Sequence, residues 1–411
     1  MRSDVPRDGR RIPVTVVGIG EDGWDGLGTQ ARSAIEAAEV LVGSARQLAL
    51  VPEARAQRLC WPSPMLPFVD ELLARYRDRA ITVLASGDPM LYGAGAFLAR
   101  RLDAAELRVI PHVSAFALAC ARLGWAGAEV TLLSVVARPL ALVAAHLQPG
   151  RRLIVLGEDG ATPAALAALL VERGYGASAI TVLEHLGGPR EARRDGIAAM
   201  WDGARCADLH VAAVTCRSDA GTPALAAIAG LPDEAFESDG QFTKREVRAA
   251  TLARLVPLGG QLLWDVGAGT GTIGIEWMRT HPSCRCIAFE RDAARAARIA
   301  RNAESLGVPG LRVITGTAPE ALLGMPAPDA IFIGGGIVAD GLVATCWEGL
   351  ASGGRLVANA VTVEGEAALA SWHRQLGGEL VRIAVSRAEP IGGMLCWRPL
   401  LPVTQWAVVK A

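Results

Sequence analysis

A glycine-rich loop in the second half of the chain has the residues and spacing of a nucleotide site. It follows an apolar run at 262–264, reads Asp-x-Gly-x-Gly-x-Gly over 265–271 and leads into a helix at 272. Glycines let the backbone approach a ligand closely, and the N–H groups at a helix start favour anions. Glu290 ends the next apolar run, nineteen residues after Gly271, where a carboxylate can accept both ribose hydroxyls. The spacing differs from the GxGxxG of dinucleotide sites. The two alternative interpretations of this loop are a tight turn without a ligand and an NAD site.

Three further loops follow apolar runs in the first half. Residues 18–23 formally match GxGxxG, which is typical of NAD binding. Their context differs, because turn-forming residues rather than a helix follow, and the next suitable acid, Glu39, precedes a strand instead of ending it. The second loop, 87–93, starts Gly-Asp-Pro, and the third, 111–115, contains His112 and Ser114. Ordinary turns explain each loop singly, and only the ordered set of three is informative.

Apolar β-type runs alternate with Ala- and Leu-rich helical stretches along the whole chain, which predicts an α/β fold throughout. In the first half the predicted strands are 13–18, 81–86, 107–110, 130–136, 152–156, 180–184 and 209–215, with helices such as 163–173 between them. In the second half the predicted strands are 261–266, 286–290, 312–315, 330–333 and 354–358. Three more runs, 380–385, 394–398 and 403–409, are predicted as antiparallel strands that finish the sheet.

A polar segment of small residues, 217–230, is the best linker candidate. It divides the chain into a first domain, 1–220, and a second domain, 231–411. Near the start of the second domain the sequence Thr-Lys-Arg-Glu at 243–246 predicts a capping box, with Thr243 as the N-cap and Glu246 reaching back to it.

Bulk composition limits the class of protein. A length of 411 residues suggests two domains, and a net charge of -1 gives little weight to nucleic-acid or membrane partners. The first eleven residues lack the apolar core of a signal peptide, and no uncharged apolar run is long enough to span a bilayer. Eight cysteines without a CxxC pair indicate reduced thiols and a cytoplasmic location, and no metal site is predicted.

Over residues 13 to 216 the chain resembles the tetrapyrrole (class III) methylase family. The three ordered loops carry this resemblance, and the stretch Leu-Glu-His-Leu-Gly at 183–187 also fits it. One departure is the stretch 134–138, Ser-Val-Val-Ala-Arg, where a branch of the family has Ser-x-His-Gly-Arg. In that family the loops bind S-adenosylmethionine (SAM) between two α/β lobes. The SAM-binding residues that the resemblance implies are Gly18, Gly20, Ser86, Gly87, Asp88, Met90, Val113, Ser114 and Ala115.

The second half resembles class I SAM-dependent methyltransferases in its glycine loop, and decarboxylating precorrin methylases over residues 231 to 400. The matching pieces are 232–236, 243–248, 265–271, 316–320 and 332–336. The resemblance implies a two-lobed class III unit followed by a Rossmann-like class I unit. The SAM-binding residues that it implies in the second unit are Thr243, Asp265, Gly267, Ala268, Gly269, Thr270, Gly271, Glu290, Arg291, Gly316, Thr317 and Ala318.

Fusion of these two families implies an enzyme of corrin biosynthesis with two SAM sites and a polycarboxylate tetrapyrrole as its substrate. The implied reaction methylates two meso carbons and removes the carboxyl group of the ring C acetate. The alternatives are another pair of SAM-dependent tetrapyrrole methylases, an NAD-linked oxidoreductase and a non-catalytic ligand-binding fusion. A homo-oligomer that binds neither nucleic acid nor membrane is expected.

Lys244 is the candidate catalytic residue. Of 41 basic residues only Lys244 and Lys410 are lysine, and Lys244 directly follows Thr243 in a matching piece. Its cation could orient the carboxylate that is lost, although an exposed lysine in a first helical turn is the simpler interpretation. Further candidates for substrate carboxylates, with a solvated helix face as the alternative, are Arg245, Arg248 and Arg291.

Overall fold

The computed structural model of this chain describes residues 13–53, 55–62, 66–76 and 78–411. Residues 1–11, on which the prediction about a signal peptide rests, lie outside the described residues. The described chain forms two compact units. Unit 1 contains the described residues up to 138 and those from 150 to 220, and unit 2 contains residues 139–149 and 221–411. Each unit combines helices with sheets, which confirms the predicted α/β class.

Within the described ranges, no helix is both long enough and apolar enough to cross a bilayer.

The helices of unit 1 are α1 Gly23–Gly26, α2 Thr29–Glu36, α3 Ala45–Ala49, α4 Leu66–Arg75, α5 Ala94–Leu98, α6 Ala115–Leu123 and α7 Thr162–Glu172. The helices of unit 2 are α8 Arg245–Leu255, α9 Thr272–Thr280, α10 Ala293–Ser305, α11 Leu342–Gly349 and α12 Val363–Leu376.

The first sheet of unit 1 is parallel throughout. Neighbouring residues of its central strands belong to different apolar clusters, Val16 and Val83 on one face and Val17 and Leu84 on the other. Both faces are therefore covered, as a parallel sheet requires. The strand order is β3-β2-β4-β1-β5, with β1 Val14–Ile19, β2 Val40–Gly43, β3 Gln57–Cys60, β4 Ile81–Ser86 and β5 Leu107–Ile110.

The second sheet of unit 1 has the order β6-β7-β10-β8-β9. The pair β6–β7 is parallel and the other pairs are antiparallel. Sequence analysis predicts all of these strands except β9, which is an edge strand of mostly charged and small residues. The strands are β6 Val130–Ser134, β7 Arg152–Leu156, β8 Ala179–Glu184, β9 Ala192–Ile197 and β10 His210–Thr215.

Unit 2 is built on a seven-stranded sheet of order β13-β12-β11-β14-β15-β19-β16. Its first five strands in this order are parallel, and β19 runs antiparallel to both of its neighbours. The strands are β11 Leu262–Val266, β12 Arg285–Glu290, β13 Arg312–Thr315, β14 Ala330–Ile333, β15 Arg355–Ala360, β16 Glu379–Ile383 and β19 Val403–Val409.

One predicted strand of the tail does not join this sheet. The run at 394–398 forms β18, Met394–Pro399, which pairs with β17, Ser386–Ile391, in a separate two-stranded hairpin. The prediction was wrong about its position because the alternation of side chains fits any half-solvated strand and does not specify a partner. Both Leu395 and Trp397 are about three-quarters exposed on the hairpin.

The predicted capping box at 243–246 is also absent. Helix α8 begins at Arg245 with Lys244 as its N-cap, and the N-cap makes no side-chain capping hydrogen bond. The carboxylate of Glu246 instead accepts from Arg387 of β17 at 2.8 Å. A long-range ion pair has therefore replaced the local contact that the sequence pattern predicts.

The predicted linker, 217–230, is held by hydrogen bonds near both of its ends. In unit 1 the carboxylate of Asp219 accepts from the N–H groups of Gly176 and Ala177, each at 3.2 Å. In unit 2 the N–H of Gly230 donates to Glu276 at 2.6 Å. Hydrogen bonds therefore tie each end of the segment to the unit on its own side.

Candidate active sites

Strand order in unit 1 brings the three loops of the first half together. Strands β4, β1 and β5 are parallel neighbours, so the loops after their carboxyl ends lie at one edge of the sheet. Gly18 lies against the other two loops. A Cβ atom on it would be 2.2 Å from the carbonyl oxygen of Gly87 and 2.7 Å from the backbone N of His112. Only glycine permits so close an approach.

A cavity of about 1180 Å³ is lined by residues of both sheets of unit 1. Its volume exceeds the range of about 300–1,000 Å³ that is typical of small-molecule sites, so the cavity is large enough for a ligand of that class. Of the nine predicted SAM-binding residues in this half, Gly18 is the only one outside the lining. The eight that line the cavity are Gly20, Ser86, Gly87, Asp88, Met90, Val113, Ser114 and Ala115.

Two polar side chains of these loops fix the backbone rather than point freely into the cavity. The carboxylate of Asp88 accepts from the N–H of Met90 at 2.8 Å. The hydroxyl of Ser114 accepts from the N–H of Ala117 at 3.1 Å and is the N-cap of α6. Such local bonds stabilise a turn and a helix start respectively. Ligand contacts from these loops would then come largely from backbone groups.

Sequence analysis missed an ionic cluster at the wall of this cavity. The carboxylate of Glu21 binds the Arg46 guanidinium and lies 3.0 Å from Nδ1 of His185. Arg46 also donates to the hydroxyl of Ser86 at 2.6 Å. Burial alone would raise the pKa of Glu21, but the hydrogen bond from His185 and the charge of Arg46 outweigh it and lower that pKa. Glu21 therefore stays a carboxylate and neutralises Arg46.

The dinucleotide interpretation of residues 18–23 lacks the helix that it needs. Helix α1 covers only Gly23–Gly26, and the chain turns before α2 begins at Thr29. A pyrophosphate binds at the N-terminus of a long helix directly after such a loop. We therefore assign no NAD site to this loop.

In unit 2 the glycine loop connects β11 with α9. Gly267, Gly269 and Gly271 have φ of +69°, +61° and +78°, a region that other residues rarely adopt. A Cβ on Gly267 would be 2.9 Å from the backbone N of Gly335, and one on Gly271 would be 2.7 Å from the Ile299 side chain. The loop therefore needs glycine at all three positions for conformation, and at Gly267 and Gly271 also for space.

Glu290 lies at the carboxyl end of β12 and is almost fully buried. Its carboxylate accepts from the N–H of Gly269 at 2.8 Å and from the N–H of Asp292 at 3.0 Å. The acid that the spacing singles out is therefore in direct contact with the glycine loop. It holds the loop through one oxygen and the start of α10 through the other.

Asp265 is a second buried carboxylate of this loop. One oxygen accepts from the N–H of Gly274 in α9 at 3.0 Å, and the other oxygen has no hydrogen-bond partner in the described part of the chain. Burial, together with the nearby negative charge of Glu290, raises the pKa of Asp265 to about 7. Near neutral pH the buried carboxyl group of Asp265 is therefore partly protonated and partly ionised.

We expect the contribution of Asp265 to the free energy of unfolding to fall as pH rises between 3.8 and about 7, and Asp265→Asn to remove that contribution. The folded pKa lies above the ordinary value, so the folded state retains a proton that the unfolded state has released. This stabilisation is complete below the unfolded pKa and is lost as pH rises through the folded pKa. Urea unfolding of both proteins at about pH 5 and about pH 8 measures it, and an equal difference at both pH values would contradict the assignment.

The remaining predicted residues of unit 2 surround the glycine loop to different degrees. The N–H of Gly316 donates to the carbonyl of Glu290 at 3.0 Å, which brings the start of the 316–318 segment to the end of β12. Ala318 packs on the apolar cluster beneath β12, and the carbonyl of Thr317 accepts from Ala321. The side chain of Arg291 is exposed beyond β12. The segment 316–318 thus lies beside the end of β12, whereas no ion pair within the described residues holds the Arg291 side chain.

Lys244 lies at the N-terminus of α8 in a segment that crosses the glycine loop. Its ammonium donates to the carbonyl of Gly240 at 3.2 Å and lies 3.7 Å from the ring centre of Phe242. In the same segment the carbonyl oxygen of Gln241 is 3.9 Å from the Cβ position of Gly269. Backbone and aromatic contacts within its own segment therefore hold the Lys244 ammonium, and Gln241 of that segment lies beside the loop.

Arg248, a candidate for substrate carboxylates, is unavailable to any ligand because its side chain is fully buried. It donates to Glu276 at 2.5 Å, to Asp233 at 3.2 Å and to the carbonyl of Thr243 at 2.7 Å. It also donates to the carbonyl of Leu231. The carbonyls and carboxylates of three separate segments thus converge on one guanidinium, which makes Arg248 a structural residue.

Comparison with known proteins identifies what these two units are. Residues 13–198 match the family described as Tetrapyrrole (Corrin/Porphyrin) Methylases, and residues 234–410 match the one described as Precorrin methyltransferase domain. The chain is therefore a fusion of two methyltransferase units. A protein of Sinorhizobium sp named precorrin-6Y C(5,15)-methyltransferase [decarboxylating] is 51% identical over 97% of this chain and 96% of its own length. The chain belongs to the precorrin-6Y C(5,15)-methyltransferase (decarboxylating) family.

Two shorter relatives each match part of the chain. A cobalt-precorrin-7 C(5)-methyltransferase of Salmonella typhimurium is 32% identical and is covered over 85% of its length by 42% of this chain. A probable cobalt-precorrin-6B C(15)-methyltransferase (decarboxylating) of Pyrobaculum calidifontis is 34% identical and is covered over 92% of its length, again by 42% of this chain. Proteins similar to parts of this chain therefore occur as separate enzymes.

Proposed function

We propose that this chain converts precorrin-6Y into precorrin-8X in cobalamin biosynthesis, with two SAM-dependent methylations at meso carbons 5 and 15 and decarboxylation of the ring C acetate. The observation that carries the proposal is the 51% identity to a relative of that name over nearly the whole chain. It is supported by glycine loops that form close backbone cradles in both units. Each unit would bind one SAM molecule.

The residues of both units fit SAM. When bound, SAM supplies an electrophilic methyl group on a sulfonium, which an electron-rich meso carbon can attack. The protein then has to hold substrate and methyl donor in line, and such positioning can supply about 7–11 kcal/mol. In unit 1 the backbone of the three loops would do so, and in unit 2 the 267–271 loop and Glu290.

The proposal is tested by incubating the full chain with SAM and precorrin-6Y and measuring the mass of the product by mass spectrometry. The expected product has gained two methyl groups and lost carbon dioxide. Thermal shifts with SAM and with NAD separate the alternatives, because a ligand at 100 times its Kd adds about 2.7 kcal/mol of stability. Stabilisation by NAD alone, or an unchanged substrate, would refute the proposal.

Glu290→Ala should weaken SAM binding in unit 2 by about 10- to 150-fold and leave unit 1 unchanged, because one charge-assisted hydrogen bond is worth about 1.5–3 kcal/mol. Titration calorimetry of the full chain should show one site with wild-type affinity and one weakened site. Glu304→Ala, which removes an exposed carboxylate from α10, is the matched control. Two sites of unchanged affinity would show that Glu290 does not contact the ligand.

We assign the decarboxylation to unit 2 and propose that Lys244 orients the carboxylate that leaves. In this step the bond between the acetate methylene and the carboxyl carbon breaks, its electron pair enters the conjugated ring, and the exocyclic carbon then takes up a proton. The name of the shorter Pyrobaculum relative, which joins a C(15)-methylation to a decarboxylation, supports this assignment. Lys244 belongs to the segment whose residue Gln241 lies beside the glycine loop, which supports its role.

Lys244→Ala should slow the loss of carbon dioxide more than either methyl transfer, and Lys244→Arg should restore part of the rate because it keeps the cation. The time course of product masses from the full chain measures the steps separately. Equal slowing of all steps by both variants would indicate that Lys244 only supports the fold of the segment 240–244.

We further propose that the chain forms a homo-oligomer through the β17–β18 hairpin. Met394, Leu395 and Trp397 are 76%, 70% and 74% exposed, and adjacent exposed apolar side chains mark interaction surfaces. Exchange of Leu395 and Trp397 for glutamate should lower the mass of the assembly in sedimentation experiments. Met200→Glu, at an isolated residue that is 81% exposed, is the control. A wild-type monomer would contradict the proposal.

The proposed location of the reaction is the cytoplasm. Cys60 is an exposed free thiol at the surface, and Cys206 and Cys396 are partly exposed free thiols. Free thiols persist where the compartment is reducing. Labelling of intact and lysed cells with a membrane-impermeant thiol reagent would test the location.

A further inference from the structure

We propose that Arg138 and Tyr92 form a carboxylate-binding subsite in the cavity of unit 1, which holds one side chain of the macrocycle while its meso carbon is methylated. Both residues line the cavity, and the Arg138 guanidinium lies over the Tyr92 ring, 4.8 Å from its centre. The inference rests on the proposed function, because it is the polycarboxylate nature of the substrate that makes an arginine its natural partner.

The charges that line the cavity leave Arg138 as a cation without an acidic partner. Among the cavity acids, Glu21 is neutralised by Arg46, Asp88 accepts from the backbone of its own loop, and Asp208 is paired with Arg205 at 2.8 Å. No carboxylate within the described ranges lies at salt-bridge distance from Arg138. A guanidinium that faces a cavity without a counter-ion is suited to an anionic ligand group.

The backbone on both sides of the stack has an unusual conformation. Tyr92 and Ala137 have φ of +58° and +52°, in the left-handed region that residues with a side chain rarely adopt. Such a conformation is strained and persists only where the surroundings impose it. Here the conformation brings two side chains from separate loops into contact at the cavity. The Tyr92 hydroxyl also reaches the carbonyl of Leu132 at 3.5 Å.

Stacking gives the guanidinium a fixed orientation. The face of an aromatic ring attracts the cation, and a guanidinium that lies flat on the ring still presents its N–H groups at the edge. An acetate or propionate side chain could then bind in a bidentate manner. Tyr92 is in this view a positioning residue for Arg138, and Arg138 is the group that touches the substrate.

The test distinguishes an effect on substrate binding from effects on folding and on SAM binding. Arg138→Gln should raise KM for precorrin-6Y at the unit 1 methylation by about 10- to 100-fold, as expected for the loss of one charge-assisted contact. The affinity of unit 1 for SAM and the reaction of unit 2 should not change. The KM of Arg138→Lys should lie between those of the wild type and Arg138→Gln. Tyr92→Leu should raise KM less than Arg138→Gln does, and Tyr92→Phe, which keeps the ring, should have the KM of the wild type.

The matched control is Arg152→Gln, since Arg152 also stacks on an aromatic ring, Trp125 at 5.3 Å, but does not line the cavity. An unchanged KM in Arg138→Gln, or a parallel loss of SAM affinity, would overturn the subsite. Binding of free-base porphyrins with four or eight carboxylates, read by tryptophan quenching, tests it independently of turnover. If the wild type failed to methylate precorrin-6Y, the proposed function would be refuted. Weaker porphyrin binding by Arg138→Gln than by the wild type would still support the subsite in that case.

Discussion

Replacing Gly18 with alanine should abolish most of the methyl transfer by unit 1 and leave unit 2 active. The new Cβ would lie 2.2 Å from the carbonyl oxygen of Gly87 and 2.7 Å from the N of His112. Both are backbone atoms, so relief requires that whole loops move apart. A displacement of about 1 Å at a reacting centre can cost on the order of 100-fold in rate. The product mass should show one methyl group fewer, and calorimetry should show one SAM site instead of two.

Gly28→Ala is the control for this substitution. Gly28 has an ordinary φ of -69°, and a Cβ on it would meet no atom within 4 Å. This variant should therefore retain both SAM sites and both methyl transfers. If Gly18→Ala also retained them, the three loops could not form the binding site of unit 1.

Arg248→Met should destabilise unit 2 more than any surface substitution. The variant leaves the carboxylate of Glu276, which is 2% exposed, buried without its cation. Removal of one partner of a buried ion pair typically costs about 3–5 kcal/mol. Urea unfolding followed by circular dichroism should show an early transition for unit 2 and a transition for unit 1 at the wild-type denaturant concentration.

Two further variants define the origin of this loss. Arg254 lies on α8 like Arg248, but its ion pair with Glu379 of β16 is largely exposed. Arg254→Met should therefore cost little, because exposed pairs contribute about 0–1 kcal/mol. The double variant Arg248→Met/Glu276→Leu should recover part of the lost stability, because it removes the unpaired charge. Equal stability of the single and the double variant would show that packing, rather than charge, explains the effect.

Local sequence patterns predict much of this fold. Apolar runs at 81–86, 107–110, 152–156, 312–315 and 330–333 coincide with strands of the structure. Among the strands without a prediction, two lie at sheet edges and are polar, Gln57–Cys60 and Ala192–Ile197. Edge strands commonly carry charge, so they lack the apolar alternation on which such predictions depend.

The glycine loops could be predicted from the sequence, whereas the ion pairs around them could not. Glycine loops are contiguous in sequence, and the strands that precede them fix where they meet. In contrast, Glu21 is 25 residues from Arg46 and 164 residues from His185. No periodicity links such positions. The same holds for Arg248, whose helical spacing gives no sign that a buried glutamate 28 residues away is its partner.

The buried pair of Arg248 and Glu276 also constrains how this protein can change over generations. Loss of either side chain alone passes through a form with an unpaired charge in the core, which selection for a folded enzyme would remove. Neutral drift at one position is therefore blocked unless the other changes at nearly the same time. Among descendants and relatives of this chain, residues 248 and 276 should be exchanged together or retained together, as one inherited unit.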